Sequence, residues 1–520
     1  MFKIKFSLNK RTIIGLLIFY FIINLIFLNR FPFIHSDEPW LSGLSRNILE
    51  KKSFSVTETF FDLYKRHPHA IKILFHSTQI FFLKIFGYSI FTFRLISLIF
   101  GTITLFFFYK LCYLLLKSKK FALFSTFLLS IDVQFIYASH FARQEIILLF
   151  ILILGLYSFY KNNKTDNYYR DIIIGILVGL SIGIHPNSFI ISLPFGLLYL
   201  YHIFITKKLK IKNLIIYIAI VSLFALFFVF LSFKFDPNFL SNYSSYGNQF
   251  GVLSPITSKI KQIKNFYLKL YYGISGTYYT PNIKFQFYLF ALVLFTTFIK
   301  LFFIKDKFKK ENLLSIVLII LAINIGIIMI GRFNATSMIF LFPPFYILTT
   351  YIYMLKDFRK WKPLYGVFIT VVLLITTVSN IYPYLNTSYD NYLNEIGKFV
   401  KKNDSVLANL NSEYYFENGK LYDYRNLSFL DENNISFSDY IYSHDIEYIV
   451  YSDEMDFIYN NRPVWNGIYG NLYFYYDDMQ NFLNTKCNLV HEFKDNIYGI
   501  RIARYINTRD WWIKIYKVRE

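Results

Sequence analysis

The chain has 520 residues, 55% of them hydrophobic and only 17% charged. Soluble domains could not bury that much apolar surface, so it reads as a polytopic membrane protein. Its formal charge of +22 sits in short Lys/Arg clusters between apolar segments, the pattern that orients a protein in a membrane, which argues against nucleic acid as a partner. Two cysteines, Cys112 inside an apolar run and Cys487 far downstream, exclude a disulfide framework and a cysteine-based metal site.

In chain order, basic Lys3, Lys5, Lys10 and Arg11 precede an uncharged run at 12–28 with no small-residue cleavage signature. This is a signal anchor retained as the first span. Apolar segments at 12–29, 90–116, 121–139, 145–160, 171–184, 187–205, 212–234, 285–304, 312–330, 335–355 and 363–382 predict eleven spans. The stretch "HAIKILFHSTQIFFLKIFG" at 69–87 carries Lys72, His76, Gln79 and Lys84 at near-helical spacing, a polar stripe expected of a helix lying in the interface. Charge supports leaving it out of the span count. The N-terminal cluster, "KSKK", "KNNKTDNYYR", "KKLKIK", "KDKFKK" and "KDFRKWK" then all fall on one side, as the positive-inside rule requires. The expected topology is a cell-membrane protein with a cytoplasmic N-terminus and an external C-terminus.

Residues 235–284 form a large external loop, and after Tyr382 the composition turns to Asn, Asp and Tyr. The predicted division is a multi-spanning membrane domain at 1–383 and an external α/β domain at 384–520. In the latter, "YLNEIGKFVKKN" reads as helix, "IEYIVYS" as a buried strand and "DDMQNFLNTKCNLVHEF" as helix then strand.

The first external stretch, "FPFIHSDEPWLSGLSRNILE" at 31–50, sets Ser36, Asp37, Glu38 and Pro39 at a helix start, ahead of Leu41, Leu44 and Ile48 at helical spacing. Two acids there could do no more than complement the helix dipole, worth about 0.3–1 kcal/mol each. That leaves unexplained why His67, His69, Arg94 and the run "SHFARQE", with Arg143 and Glu145, gather at the same expected level.

The fragments "SDEPWLSGLSRNILE", "RHPHAIKILFHSTQIFFLKIFGYSIFTFRL", "YASHFARQE", "GIHPN" and "GRFNATSMIFLFPP" follow one another over residues 36–344. Their order and spacing resemble the multi-spanning GT-C glycosyltransferases that use lipid-phosphate sugars, in particular the protein O-mannosyltransferase and lipid A aminoarabinose transferase group. The chain departs from that pattern at His69, where a second Pro is usual, at His185, where Lys is commoner, and at Asn334, near the usual aromatic. The resemblance implies a mainly α-helical GT-C fold. It also implies transfer of a hexosyl or pentosyl group from a polyprenyl-phosphate-linked donor to an acceptor outside the membrane, with no cofactor.

By the same resemblance Asp37 is the expected general base, with Glu38 as an acceptor-positioning acid. Arg94, Arg143 and Arg332, at the external ends of spans, are expected to bind the donor phosphate, for which a planar guanidinium is suited. His67, His69, Glu145 and His185 are possible substrate contacts, and scattered histidines of this kind do not imply a metal site. The expected partners are the polyprenyl-phosphate-linked sugar, a protein, lipid or glycan acceptor, and membrane lipids. A transporter or flippase of a lipid-linked saccharide is the alternative. It would more naturally carry mid-span charges or broken helices in repeats, whereas here the candidate residues share one level. An oligosaccharyltransferase catalytic subunit would carry a "WWDYG"-type motif, which neither "WNGIYG" nor "DWWIKIY" matches.

Overall fold

The computed structural model describes residues 10–161, 168–274, 276–354, 362–502 and 509–519. Helix α1 (Lys10–Ile26) leads through a turn to α2 (Asp37–Lys51), then to a 3-10 turn at Ala70–Lys72 and to α3 (Ile73–Phe86). With 14 residues, α3 is about 21 Å long, too short for a ~30 Å hydrocarbon core. Of its polar stripe, expected to face the interface, His76 and Gln79 point instead into the protein, while Lys84 stays exposed. The Ser45 hydroxyl of α2 bonds His76 Nδ1 at 2.8 Å and Gln79 Oε1 at 2.7 Å, while Phe81, Ile85 and Phe86 are exposed. Polar groups at membrane depth are costly unless paired, and α2 offers the partner that lipid cannot.

The helices that follow are α4 (Ile90–Leu116), α5 (Lys119–Ser130), α6 (Val133–His140), α7 (Glu145–Lys161), α8 (Tyr168–Ile182), α9 (Ser188–Leu200) and α10 (Ile211–Phe235). After them come α11 (Phe239–Asn248), α12 (Ile256–Tyr271), α13 (Lys284–Phe303), α14 (Lys307–Ile330), α15 (Phe342–Met354) and α16 (Lys362–Ile381). Each of the eleven expected spans falls on helix. Among the described residues, however, seven helical stretches are long and apolar enough to cross a membrane, or eight if the α5–α6 pair, bent by 65°, is one span. Helices α1, α7 and α8 have 17, 17 and 15 residues. Lys3, Lys5 and most of the basic clusters at 161–170 and 356–362 lie outside the described residues.

The bend after α5 has a local cause. Asp132 accepts the Gln134 and Phe135 N–H groups, which starts a new helix, and its other oxygen accepts from Gln286 at 2.9 Å and Tyr346 at 2.6 Å. The long helices pack in pairs, α8 along α10 and α9 along α14. Small residues set their separation: a Cβ at Gly179 would meet the Phe224 ring at 2.5 Å, and one at Gly326 would meet Ile190 Cα at 2.8 Å.

Beyond α17 (Tyr389–Gly397) the chain builds a five-stranded sheet from β1 (Val406–Ala408), β2 (Leu421–Asp423), β3 (Tyr448–Ser452), β4 (Cys487–Lys494) and β5 (Trp512–Val518), in the order β2-β1-β3-β5-β4. The first three strands are parallel, and β5 runs antiparallel to β3 and β4. Alternation divides the sheet into two faces. Leu407, Ile449 and Tyr451 join a core of their own, whereas Val406, Ala408, Val450, Ile513 and Ile515 belong to the core shared with the long helices. The C-terminal region is therefore welded to the helical part. Much of that weld is on α2: Arg46 pairs with Glu413 and donates to Phe416 O at 2.9 Å, Ser42 bonds Tyr414 at 2.9 Å, and Asn418 reaches Glu50 at 2.6 Å.

Candidate active site

The first turn of α2 is capped by His35, not by Ser36 as the sequence suggests. Ser36 has helical dihedrals and makes no side-chain cap, whereas His35 Nδ1 accepts the Asp37 N–H at 3.0 Å and Glu38 accepts the His35 N–H at 3.0 Å. With Nδ1 accepting, the ring proton is on Nε2, facing Thr277 Oγ1 at 2.8 Å, and Tyr278 stacks on the ring at 4.3 Å. Burial, only partly offset by Asp37, brings His35 down to about 4, so the ring is neutral near pH 7.

Asp37 stands at the wall of a cleft. Its Oδ2 accepts from Arg143 Nη1 and, at 2.6 Å, from the Tyr278 hydroxyl; Arg143 Nη1 is also 2.7 Å from that hydroxyl. Burial works against the charged carboxylate, but the neighbouring His35 ring, Arg143, the Tyr278 hydrogen bond and Arg332 outweigh it and hold Asp37 well below the usual carboxylate range. Behind it, Arg143 Nη2 pairs with Glu145 at 3.1 Å, and the Thr336 hydroxyl donates to the same Glu145 oxygen at 2.6 Å.

Asp37, His67, His69, Arg143, His185 and Arg332 all line the cleft. Six of the nine residues singled out from sequence thus meet in one place, contributed by α2, the 66–72 turn and the loops before α7, α9 and α15. Glu145 supports Arg143 from outside. Arg332 lies over the Phe250 ring at 4.4 Å.

Glu38 and Arg94 are corrected by the structure. Both side chains are fully buried and bound to each other, Nε to Oε1 and Nη2 to Oε2, each at 2.8 Å. Arg94 also donates to Leu28 O and Pro32 O at 2.9 Å, and Glu38 accepts from Ala142 N at 3.1 Å. A bidentate pair so saturated has no donor or acceptor left for substrate, so neither an acceptor contact by Glu38 nor a phosphate contact by Arg94 is open to them. Their geometry instead ties the start of α2 to α4 and to the loop carrying Arg143.

Several cleft residues escaped the sequence reading. Lys72, taken there for interfacial polarity, lines the cleft; burial, then Arg332, Arg66 and Arg143, lower it to about 7. Arg66 lies 4.3 Å over Tyr246, and its Nε is 3.6 Å from Glu58, which accepts from Trp40 Nε1 at 2.6 Å. The basic run "RHPHAIK" was the available signal, whereas Tyr278 and Tyr246 come from a loop 200 residues away, with nothing local to mark them. Burial and the neighbouring cations also lower His69, His76 and His185, His76 to about 3, so their rings are neutral. Among the described residues no group of three or more His, Cys, Asp or Glu side chains could hold a metal ion.

The sequence profile of the dolichyl-phosphate-mannose-protein mannosyltransferases matches residues 67–233, a stretch that includes Arg143 and His185 but neither Asp37 nor Arg332. No curated protein sequence matches the chain. Among solved structures, ArnT from Cupriavidus metallidurans bound to undecaprenyl phosphate is 11% identical, with 97% of each chain covered and a TM-score of 0.60. The oligosaccharyltransferase of Archaeoglobus fulgidus in its apo form is 14% identical, covering 88% of this chain and 71% of its own, with a TM-score of 0.57. Archaeal AglB from the same organism, in complex with an inhibitory peptide and a dolichol-phosphate, is 13% identical over the same shares, with a TM-score of 0.52. The chain has the fold of these proteins, and in fold and profile it resembles the GT-C glycosyltransferases of the O-mannosyltransferase and ArnT type.

Proposed function

We propose that the protein is an integral-membrane glycosyltransferase that moves a sugar from a polyprenyl-phosphate carrier to an acceptor hydroxyl on the outer face of the membrane, with Asp37 as general base. The observation that carries this reading is the convergence, on one cleft, of a carboxylate held ionised, the guanidinium groups of Arg143 and Arg332, and the titratable amine of Lys72. The two charges suit the two ends of one displacement. The acceptor oxygen bonds to the anomeric carbon as the carbon–oxygen bond to phosphate breaks, the acceptor proton passes to Asp37, and polyprenyl phosphate leaves with one more negative charge.

Asp37 Oδ2 is occupied by Arg143 and Tyr278, which leaves Oδ1, 3.6 Å from the lone-pair side of His35, to receive the proton. So acidic a carboxyl is a weak base, so its main service is to orient the hydroxyl and accept the proton late. Arg143 and Arg332, joined by Lys72 once its amine has taken up a proton, meet the charge developing on phosphate, in a partly enclosed site where fixed cations act strongly. The transport alternative gains little from the break at Asp132, because both oxygens of that acid are occupied by protein groups.

The test offers purified protein a polyprenyl-phosphate sugar or a nucleotide sugar with crude acceptor extract, and follows released polyprenyl phosphate. Release with the lipid donor alone supports the proposal; turnover of the nucleotide sugar in lipid-free preparations contradicts it. Orientation is tested separately. Cys112 and Cys487 are both buried, so Val464→Cys, at a residue 92% exposed, supplies the reporter, and an impermeant thiol reagent should label it on intact cells.

A further inference from the structure

A second cavity adjoins the cleft and shares Arg66, His67, Pro68, His69 and Tyr246 with it, while its far wall is Asp236 and helix α11. We propose that this cavity is a saccharide subsite for the acceptor, so that the acceptor is a glycan; this rests on the transfer reaction proposed above. Asp37 does not line it, so the cavity is suited to the part of the acceptor behind the reacting hydroxyl and not to the reacting carbon.

Asp236 and Arg66, two of its charged groups, are held by protein partners. Asp236 is 8% exposed and accepts from Asn238 N at 2.9 Å and Asn242 Nδ2 at 2.8 Å, and the same Asn242 nitrogen lies 3.1 Å from His67 Nδ1. With Nδ1 accepting, His67 presents an Nε2–H donor and Asn242 an Oδ1 acceptor, neither hydrogen-bonded among the described residues. His69 Nδ1 is likewise buried without a partner. Tyr243 and Tyr246 supply aromatic surface, Tyr243 packed edge-on to His69 at 5.1 Å and Tyr246 pinned by Arg66 at 4.3 Å.

A hydroxyl-bearing ring needs such a set, with donors and acceptors in fixed directions and an aromatic flank for its C–H face. For an anion the cavity offers only exposed Lys65 at its rim, because Arg66 lies over Tyr246 and beside Glu58, and Asp236 opposes a second negative charge. A lipid chain would strand the polar atoms. A peptide laid across the cavity would find side-chain amides but no strand edge, since its walls are helix and loop.

The test measures binding of neutral trisaccharides, cellotriose and tri-N-acetylchitotriose, and of a Ser/Thr-rich peptide to the full-length protein in nanodiscs by saturation-transfer NMR. A trisaccharide should bind; Asn242→Ala and, at Gln249, which lines the cavity just past α11, Gln249→Ala should each weaken it at least tenfold with unchanged thermal melting, Asp37→Asn should leave it intact, and the peptide should not compete. No binding of either saccharide, binding indifferent to both substitutions, or competition by the peptide would overturn the proposal. Saccharide binding without any transfer from a lipid-linked donor would sink the reaction and spare the subsite; transfer to the peptide without saccharide binding would do the reverse.

Discussion

Asp37 and Glu38 are neighbours in sequence, and each is bound to an arginine, yet the two pairs occupy different physical worlds. Asp37–Arg143 stands at the cleft wall with one carboxylate oxygen uncommitted and Arg143 shared among Asp37, Tyr278 and Glu145. Glu38–Arg94 is sealed, bidentate, and supplemented by backbone groups until nothing is left over. Successive side chains on a helix point about 100° apart, so one can face a cleft while the next faces the core. The difference teaches that a buried charge pair acquires chemistry from what it leaves unsatisfied, not from its charge.

The widest separation between the pairs should come from removing each acid. Asp37→Asn keeps the shape and the Arg143 contact but cannot take a proton, so transfer should fall by about 10²–10⁴ with lipid-phosphate binding retained; near-normal turnover would end the assignment of Asp37 as base. Glu38→Ala should instead strand Arg94 in the core and cost about 3–5 kcal/mol of stability. The loss would be seen in thermal melting and yield, while KM for the acceptor in surviving folded protein stays put. Because a sealed pair can be exchanged for apolar volume, Glu38→Leu with Arg94→Met should recover most of that loss. A selective rise in acceptor KM in Glu38 variants would return Glu38 to the site.

How far the sequence reached follows the same division. The long helices, and strands β3 and β4, were legible because apolar runs and their lengths are local. Span lengths at α7, α8 and the α5–α6 break were less so: Asp132 starts the new helix locally, but the groups that let its carboxylate be buried there, Gln286 and Tyr346, are distant in sequence. Asp37, Arg143 and Arg332 were found by their order in a family-like pattern, but that pattern could not tell an open ion pair from a sealed one. Arg94 looked like a phosphate ligand because an arginine at a span end has the same letters either way. Lys72 was misread for the opposite reason: a lysine on a short amphipathic helix is usually interfacial, and only the packing of α3 against α2 turns its neighbourhood into a cleft wall.

Within the open region, Arg332→Lys and Arg143→Lys should each lower transfer by about tenfold or more, because an ammonium keeps the charge but loses the planar fork. The loss should be larger for Arg143, which holds Asp37, Tyr278 and Glu145 at once, than for Arg332, which rests over Phe250. Equal and full activity of both variants would remove the phosphate clamp from the proposed mechanism.

The smallest expected effect concerns Lys72 and is read as protons. Its amine is lowered to about 7 by burial and by Arg332, Arg66 and Arg143, against Glu58, whereas in the unfolded chain it stays charged to about 10.4. Between those values the unfolded state binds more protons, so this group makes stability rise with pH, and its full cost is present below 7. A phosphate in the cleft should reverse the local balance by favouring the charged amine, raising the Lys72 pKa. At pH 7.5 the empty site would carry roughly a quarter of a proton on Lys72, so binding of undecaprenyl phosphate should take up about three quarters of one. The surrounding rings His69, His76 and His185 are held neutral by burial and, after it, by Lys72 itself, and could also gain protons, so the variant decides. Calorimetry in buffers of different ionisation enthalpy should show the uptake in the native protein and its loss in Lys72→Met. Uptake unchanged in Lys72→Met would assign the proton to a histidine and leave Lys72 a bystander at the cleft wall.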